Sequence, residues 1–159
     1  MISQTAEYAL RAVVHLGSQI GRPTTTQRIA EATQVPVGYL SKVLQALGKA
    51  GLVDAQRGLR GGYVLARPVD ELTVLEVIHS VDPLQRIVAC PLGLQAHGEE
   101  LCALHRCLDS SIAHIESLYR EMTIERLIRE KGPDRKPLCE REMSLSSAAE
   151  TNGDSTGGW

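Results

Sequence analysis

The stretch from residue 24 to residue 67 constrains the fold of this chain most, because its structural signals follow one another in a specific order. Thr24, with Gln27 three residues later, predicts a capping box that begins a short helix. Pro36 then interrupts the chain, since proline can open a helix but cannot lie inside one. A second helix is predicted from near Val37, with an apolar stripe formed by Leu40, Val43, Leu44 and Leu47.

A two-stranded hairpin is predicted directly after the second helix. Gly51 has the place of a left-handed residue at a helix C-terminus. Residues 52–57 and 63–66 are predicted as strands, and the glycine-rich residues 58–62 as the turn between them. Helix, break, helix and hairpin in this order predict a winged helix-turn-helix domain.

The polar residues of this motif have the chemistry of a DNA-binding surface. The outer face of the second helix carries hydrogen-bonding and basic side chains and no acidic one, which suits the major groove. Arginines at the tip of a narrow hairpin suit phosphates or the minor groove. Any one of these features alone is better explained by a solvated helix face, so the prediction rests on their order. The predicted DNA-contacting residues are Thr26, Gln27, Tyr39, Ser41, Lys42, Gln45, Arg57 and Arg60.

The charge of the chain is divided unequally between its two halves. Residues 1–67 contain eight Lys or Arg and three acidic residues, a formal charge of +5. Residues 68–159 contain nine and sixteen, a formal charge of -7. Because neutralising phosphates releases counterions and favours binding, the basic half is predicted to bind double-stranded DNA.

Composition limits the architecture and the compartment. With 159 residues, no Phe and 3% aromatic residues, the chain is predicted to be mostly α, with one core of Leu, Val, Ile and Ala. The N-terminus has no signal-peptide pattern, and no run approaches the ~18 apolar residues of a membrane span. A cytoplasmic protein is therefore expected, whose cysteines are thiols, metal ligands or redox sensors rather than disulfides.

Helices are predicted on both sides of the winged motif. Ser3 is a suitable N-cap for a helix through about Ile20. Thr73 and Glu76 form a second capping-box pattern, which predicts a short helix stopped by Pro83.

A long helix is predicted from Cys102 or Leu104 to about Lys131. Its apolar residues are spaced 4, 3, 4 and 3 like a heptad seam, formed by Leu108, Ile112, Ile115, Tyr119 and Met122. The domain is small, so this seam is predicted to pair two identical subunits. The predicted division is a winged helix-turn-helix domain at 1–82, a cysteine-containing sensor loop at 83–107, a dimerisation helix at 108–131 and a disordered tail at 132–159.

Three cysteines lie in or beside the predicted loop, spaced C-x11-C-x4-C. Cys90, Cys102 and Cys107 form no C-x2-C pair, which disfavours a zinc finger. Three thiolates can hold an iron-sulfur cluster, either [2Fe-2S] or [4Fe-4S], with a fourth ligand of another type. The candidates for that ligand are His97, His105 and Glu7 of the partner subunit. Redox-active thiols and simple apolar packing of a cysteine are the alternatives, and no role is predicted for Cys139.

Several short segments resemble one known family. They are residues 7–12 (EYALRA), Tyr39-Leu40, Ala50-Gly51-Leu52-Val53, Arg57-Gly58 and Gly61-Gly62-Tyr63. Over about residues 1–130 the chain resembles the Rrf-two family of bacterial transcriptional regulators. The resemblance implies a homodimer joined by the long helix, with one winged domain per subunit on a palindromic operator. It also implies base contacts from the positions of Gly38, Ser41 and Lys42 and a minor-groove contact from Arg57. Gly38 has no side chain, so the operator is expected to differ from those of relatives.

The resemblance extends to the cysteines. Cluster-binding members carry three cysteines in the loop that here contains Cys90, Cys102 and Cys107, although with shorter and more even spacing. Glu7 stands where nitric-oxide-sensing members have a cluster-ligating aspartate. In the iron-sulfur regulators a histidine follows the last cysteine, and Ser110 occupies that place here. The resemblance thus implies a repressor that responds to redox, iron-sulfur or nitric oxide signals.

Two other functions are compatible with the cysteines. A regulator without a cluster, controlled by a thiol switch or a small ligand, is the first. A thiol oxidoreductase using Cys102 or Cys107 beside His105 is the second, and it is disfavoured because the chain has no C-x-x-C motif and no phosphate-binding glycine loop. The prediction is therefore a regulator and not an enzyme.

Overall fold

Helix α1 (Gln4–Ser18) forms the centre of the fold in a computed structural model that describes residues 2–58, 61–91 and 100–130. Ser3 caps it as predicted, since its Oγ accepts a hydrogen bond from the Ala6 N-H. Ala6, Ala9, Ala12, Val13 and Leu16 are buried. These mostly small side chains let α2, α3, α4 and α6 pack around one helix.

Helices α2 (Thr26–Thr33) and α3 (Val37–Lys49) form the predicted helix-turn-helix. Gln34, in the left-handed conformation with φ 56°, ends α2. Arg11 of α1 donates to the Thr33 carbonyl at a distance of 3.2 Å and so satisfies one of the last carbonyls of α2. The four leucine and valine residues of the predicted stripe on α3 are all buried.

The predicted capping box at the start of α2 is wrong. Thr25 is the N-cap, and its hydroxyl accepts from the Arg28 N-H, while the Gln27 amide donates to Glu31 at 2.8 Å. Thr24 is buried, and its own N-H and C=O pair with the backbone of Tyr63 at 3.0 and 2.8 Å.

The wing is an antiparallel hairpin of β1 (Val53–Gln56) and β2 (Gly62–Leu65). Gly51, with φ 71°, turns the chain out of α3 and into β1 as predicted. The bridge between Thr24 and Tyr63 adds the residue before the N-cap of α2 to the free edge of β2. The wing is therefore joined directly to the helix-turn-helix.

Helix α4 (Val74–Val81) packs on α1 and α3. The predicted capping box is present, with both Thr73 and Glu76 bonded to the backbone of the other. Arg67 reaches the same carboxylate at 2.7 Å. Although burial acts to raise the pKa of Glu76, hydrogen bonds from Arg67 and Thr73 lower it overall.

The predicted long helix is broken near its C-terminal end. Helix α5 (Ala103–Glu121) stops before Met122, which is extended, and Thr123 caps a separate helix α6 (Ile124–Arg129). The break is fixed by pairing with the segment before α4, because Ile124 N-H donates to Leu72 at 2.8 Å. Helix α6 then packs on α1, and Ile124 is fully buried.

The predicted seam on α5 is also divided between two surfaces. Tyr119 and Met122 pack against the core of their own chain. The large apolar side chains exposed on α5 are Leu104, Leu108, Ile115 and Leu118, at 63%, 46%, 36% and 53%. With Ser111 between them, these residues are spaced 4, 3, 4 and 3. The exposed heptad-like stripe therefore shares Leu108 and Ile115 with the predicted seam and is shifted by one position at the other places.

None of the helices in the described part of the chain is both long and apolar enough to cross a membrane. Residues 131–159, with the predicted tail and Cys139, lie outside the described residues.

Candidate nucleic-acid interface and cysteine segment

The outward face of α3 presents hydrogen-bonding groups and a positive charge. Ser41, Lys42 and Gln45 are all exposed. The Ser41 hydroxyl donates to the Val37 carbonyl at 3.0 Å, which leaves its lone pairs available. Lys42 has no ion-pair partner among the described residues. A face of this kind can offer both donors and acceptors to base edges and phosphates.

Tyr39 has a different placement from the other predicted contacts. Its hydroxyl lies 2.9 Å from Oγ1 of Thr5, and its ring meets the Tyr8 ring edge-on at 5.6 Å between centroids. Both contacts hold α3 against α1, although 42% of the residue remains exposed. Tyr39 therefore helps to orient α3 against α1.

The N-terminal turn of α2 lies beside the wing, because Thr24 joins the two. Thr26 is half-buried there and Gln27 is exposed. Arg28 is an exposed cation that sequence reasoning missed, and it has no ion pair within the described chain. The signal was present in the sequence, since Arg28 follows the capping threonines and lies opposite the buried Ile29 and Ala30.

Arg57 is exposed immediately after β1, where the hairpin turn begins. A Cβ at Gly61 would lie 2.4 Å from the Gln56 carbonyl oxygen, so the position just before β2 requires a glycine. Arg60, the second predicted wing cation, lies outside the described residues.

The cysteines lie at the start of α5 and in the segment before it. Cys102 is the N-cap of α5, and its sulfur lies 3.3 Å from Nδ1 of His105, one helical turn later. Cys107 is exposed on α5, and Cys90 is half-buried in the preceding segment. The spacing of five between Cys102 and Cys107 places them on different sides of the helix.

Residues 83–91 are tied to α5 by Asp109. The Arg86 guanidinium donates to both carboxylate oxygens at 2.7 and 2.6 Å, and the Ile87 N-H donates to one of them at 2.9 Å. The hydrogen bond from Arg86 lowers the pKa of Asp109 from 3.8 to about 2, with further help from the Ile87 N-H and the charge of Arg86.

Both the sequence and the fold of this chain are similar to those of known transcriptional regulators. The sequence matches the Rrf2 family, described as iron-dependent transcriptional regulators, over residues 2–130. This chain belongs to the Rrf2 family. It is therefore a DNA-binding transcriptional regulator, and the resemblance drawn from the sequence is confirmed.

Individual relatives agree with this assignment. A relative from Aquifex aeolicus (strain VF5), named "Putative HTH-type transcriptional regulator", is 28% identical over 131 residues, covering 80% of this chain and 91% of the relative. The structure of CymR (YrzC), the global cysteine regulator of B. subtilis, is 26% identical with a TM-score of 0.68, covering 80% of this chain and 95% of that one. The fold is also that of T. potens IscR, at 22% identity, a TM-score of 0.71 and coverage of 87% and 93%. The mostly α winged fold is confirmed.

The cluster ligands predicted for this Rrf2 protein do not converge within the described chain. In residues 2–58, 61–91 and 100–130, no three His, Cys, Asp or Glu side chains are placed to hold one metal ion. Glu7, predicted as a ligand from the partner subunit, pairs with Arg11 within its own α1, and His97 lies outside the described residues. The set of Cys90, Cys102 and Cys107 therefore stays a prediction.

Sequence analysis placed His105 beside Cys102 or Cys107, and the structure shows that Cys102 is the neighbour. The resemblance placed the expected histidine three residues after Cys107, where the chain has Ser110. The structure shows a Cys-x2-His pair at the preceding cysteine, Cys102, with His105. The spacing of three within the first turn of a predicted helix was the available signal, because such residues face each other.

Proposed function

We propose that this Rrf2 protein is a homodimeric repressor in the cytoplasm that binds a palindromic operator through α3 and the wing. The observation that carries the proposal is the arrangement of Lys42 on the outer face of α3 and Arg57 on a wing joined to the same motif through Thr24. A helix for the major groove and a narrow hairpin for the adjacent backbone or minor groove together supply base and phosphate contacts.

The proposal of a homodimer rests on α5. No residue of this helix is buried within its own chain, and its exposed leucines and isoleucine follow a heptad spacing. Two such stripes can pack together in a symmetric, isologous contact. Two winged domains would then meet half-sites roughly 34 Å apart, one turn of the duplex.

Cys102 is the group that we assign to sensing. An imidazole 3.3 Å from the sulfur can accept the thiol proton, and the thiolate is the form that reacts with oxidants and binds metals. A redox or nitric oxide signal acting on this thiol would alter the N-terminus of α5, the proposed dimer helix. A differential binding free energy of ~1-3 kcal/mol between the two forms suffices for a switch.

An iron-sulfur cluster or iron is the second candidate for the signal. It is favoured by the description of the family as iron-dependent and by the nitrogen and sulfur donors of His105 and Cys102. Purification without oxygen, followed by visible absorption and iron and sulfide analysis, separates the candidates. A coloured protein with stoichiometric iron and sulfide supports a cluster, whereas a colourless, metal-free protein supports the thiol switch. Nothing in the named relatives, all regulators, supports a thiol oxidoreductase.

The DNA-binding surface is tested by removing its two central cations. Binding to the promoter of its own gene is measured by fluorescence anisotropy over a range of salt concentrations. In the double variant Lys42→Ala, Arg57→Ala the affinity should fall at least about tenfold, and the salt slope should decrease by roughly two for each subunit.

A matched control removes two cations elsewhere. The double variant Arg120→Ala, Arg126→Ala loses the same charge from exposed positions on α5 and α6. It should keep the affinity of the unchanged protein. Equal losses in both double variants would mean that total charge, rather than this surface, determines binding, and would overturn the proposal.

A further inference from the structure

Val37 is a large apolar side chain that the fold leaves exposed at the start of α3. It keeps 41% of its surface accessible, whereas the leucines and the valine of the α3 stripe are buried. Four of the other exposed large apolar residues form the stripe on α5, and Tyr39 packs on Tyr8. An exposed valine is therefore the first residue of the helix that is proposed to enter the major groove.

Val37 lies on a side of α3 that carries polar residues proposed to contact DNA. Residues four apart in a helix are neighbours on one side, so Ser41 and then Gln45 follow Val37 along the helix. Ser41 also contacts the Val37 backbone, because its hydroxyl donates to the Val37 carbonyl at 3.0 Å. Both polar residues are exposed. The methyl groups of Val37 therefore continue the surface that these two side chains form.

The space beside Val37 is open. Gly38 follows it, and a Cβ at Gly38 would meet nothing within 4 Å. Pro36 precedes it and is the N-cap of α3, and its carbonyl accepts the N-H groups of Tyr39 and Leu40 at 3.0 and 2.9 Å. Neither neighbour of Val37 in the sequence has a long side chain that would hold the helix away from a base pair.

The side chain of Val37 suits one chemical group of the major groove. The N-terminal residues of a recognition helix contact base edges. These edges offer hydrogen-bond donors and acceptors, and thymine adds a C5-methyl group. Val37 can form no side-chain hydrogen bond, so covering a donor or an acceptor with it would leave that polar group unsatisfied. Contact with a thymine methyl instead removes two apolar surfaces from water.

We propose that Val37 determines part of the operator sequence by contacting the C5-methyl group of a thymine in each half-site. This inference rests on the proposed function and deepens it, because it names a base that α3 selects. Lys42 and Arg57 supply binding that depends on charge, whereas the contact of Val37 is apolar and depends on sequence. Gly38 contributes by lacking a side chain, which lets this turn approach the bases.

The test starts from the preferred DNA sequence of the full chain. That sequence is selected from random duplexes, and each of its thymines is then replaced singly by deoxyuridine, which removes one methyl group and keeps the base pair. Binding is measured by fluorescence anisotropy. At one thymine position of each half-site the affinity should fall roughly three- to fivefold, the effect expected when one methyl group is lost from an apolar contact.

Val37→Ala assigns this methyl dependence to Val37. Alanine removes both methyl groups of the valine side chain and is compatible with a helix, and circular dichroism checks the fold. The variant should bind the thymine operator as weakly as the unchanged protein binds the deoxyuridine operator. Replacing the thymine should then have no further effect, because a double-mutant cycle reports coupling only between groups in contact.

Val88→Ala is the matched control. It makes the same change at a residue that is 84% exposed and lies outside the helix-turn-helix. This variant should keep the affinity and the full thymine dependence of the unchanged protein.

Val37→Thr keeps the test decisive if Val37→Ala folds poorly. Threonine has a similar shape with one methyl group replaced by a hydroxyl, so the dependence on the thymine methyl should be smaller. Equal affinity of the unchanged protein for every deoxyuridine duplex would overturn the inference, and so would a methyl dependence that Val37→Ala retains. The proposed function fails at an earlier step, because a chain that selects no duplex sequence would overturn it and this inference together.

Discussion

Thr24 and Gly62 lie so close together that no side chain fits between them. A Cβ at Gly62 would lie 2.6 Å from the carbonyl carbon of Thr24 and 2.8 Å from its nitrogen. The contact arises because Tyr63, the next residue, exchanges two backbone hydrogen bonds with Thr24. The absence of one side chain in β2 therefore sets the distance between the wing and the start of α2.

Gly62→Ala is expected to displace the wing from the helix-turn-helix. Backbone atoms cannot move aside as a flexible side chain can, so the free energy of unfolding should fall by ~1-3 kcal/mol. Urea denaturation followed by circular dichroism measures this change. Gly38→Ala is the control, because a Cβ there meets nothing within 4 Å, and its stability should be unchanged or slightly higher. Equal stability of the two variants would contradict the close contact.

The elements that depend on local signals were predictable from the sequence. Ser3 caps α1, Thr73 and Glu76 form the capping box of α4, and Gly51 adopts the left-handed conformation after α3. Each of these requires only residues within one turn of the chain. The same holds for the buried stripe of α3 and hence for the exposed face that carries Lys42.

The wrong predictions share a dependence on distant residues. Each of three consecutive threonines is a possible N-cap for α2. The backbone of Thr24 pairs with Tyr63, and Thr25 is the N-cap. The apolar residues of α5 and α6 have a continuous helical spacing, which predicts one helix. The bridge between Thr73 and Thr123 interrupts that helix. For the candidate site, the contact of Tyr39 with Thr5 could not be read from spacing, since 34 residues separate them.

Ile20 is expected to destabilise the turn after α1. It has φ 43°, which is unfavourable for a β-branched residue, and it is 88% exposed, so no packing offsets the strain. Ile20→Asn should raise the free energy of unfolding by about 1 kcal/mol, because asparagine tolerates the left-handed conformation. Ile20→Val keeps the branching and should leave stability unchanged. Thermal and urea unfolding measure the stability of both variants. Equal stability of Ile20→Asn and Ile20→Val would show that the turn is not strained at this position.

The stability of the chain should depend on Asp109 in acid. Its pKa is lowered from 3.8 to about 2 in the folded state, chiefly by the hydrogen bond from Arg86. The folded state therefore binds this proton less readily than the unfolded state, and the stabilisation is complete above about pH 4 and lost as the pH falls towards about 2. Asp109→Asn should show a shallower decrease over this window when urea midpoints are compared. Glu130→Gln should follow the unchanged protein, and parallel curves for all three would contradict the shifted pKa.

The stripe on α5 is expected to hold two subunits together. Leu108 and Ile115 lie near its middle, where a charge in a packed interface would be buried without a partner. The double variant Leu108→Glu, Ile115→Glu should therefore be monomeric in sedimentation velocity at concentrations where we expect the unchanged protein to be a dimer. Because both side chains are partly exposed within one chain, the variant should retain its helical circular dichroism. Ser110→Glu adds an acidic group to an exposed position of α5 outside the stripe and should remain dimeric. A folded Leu108→Glu, Ile115→Glu dimer would show that another surface joins the subunits, and the operator geometry would then have to be rebuilt around that surface.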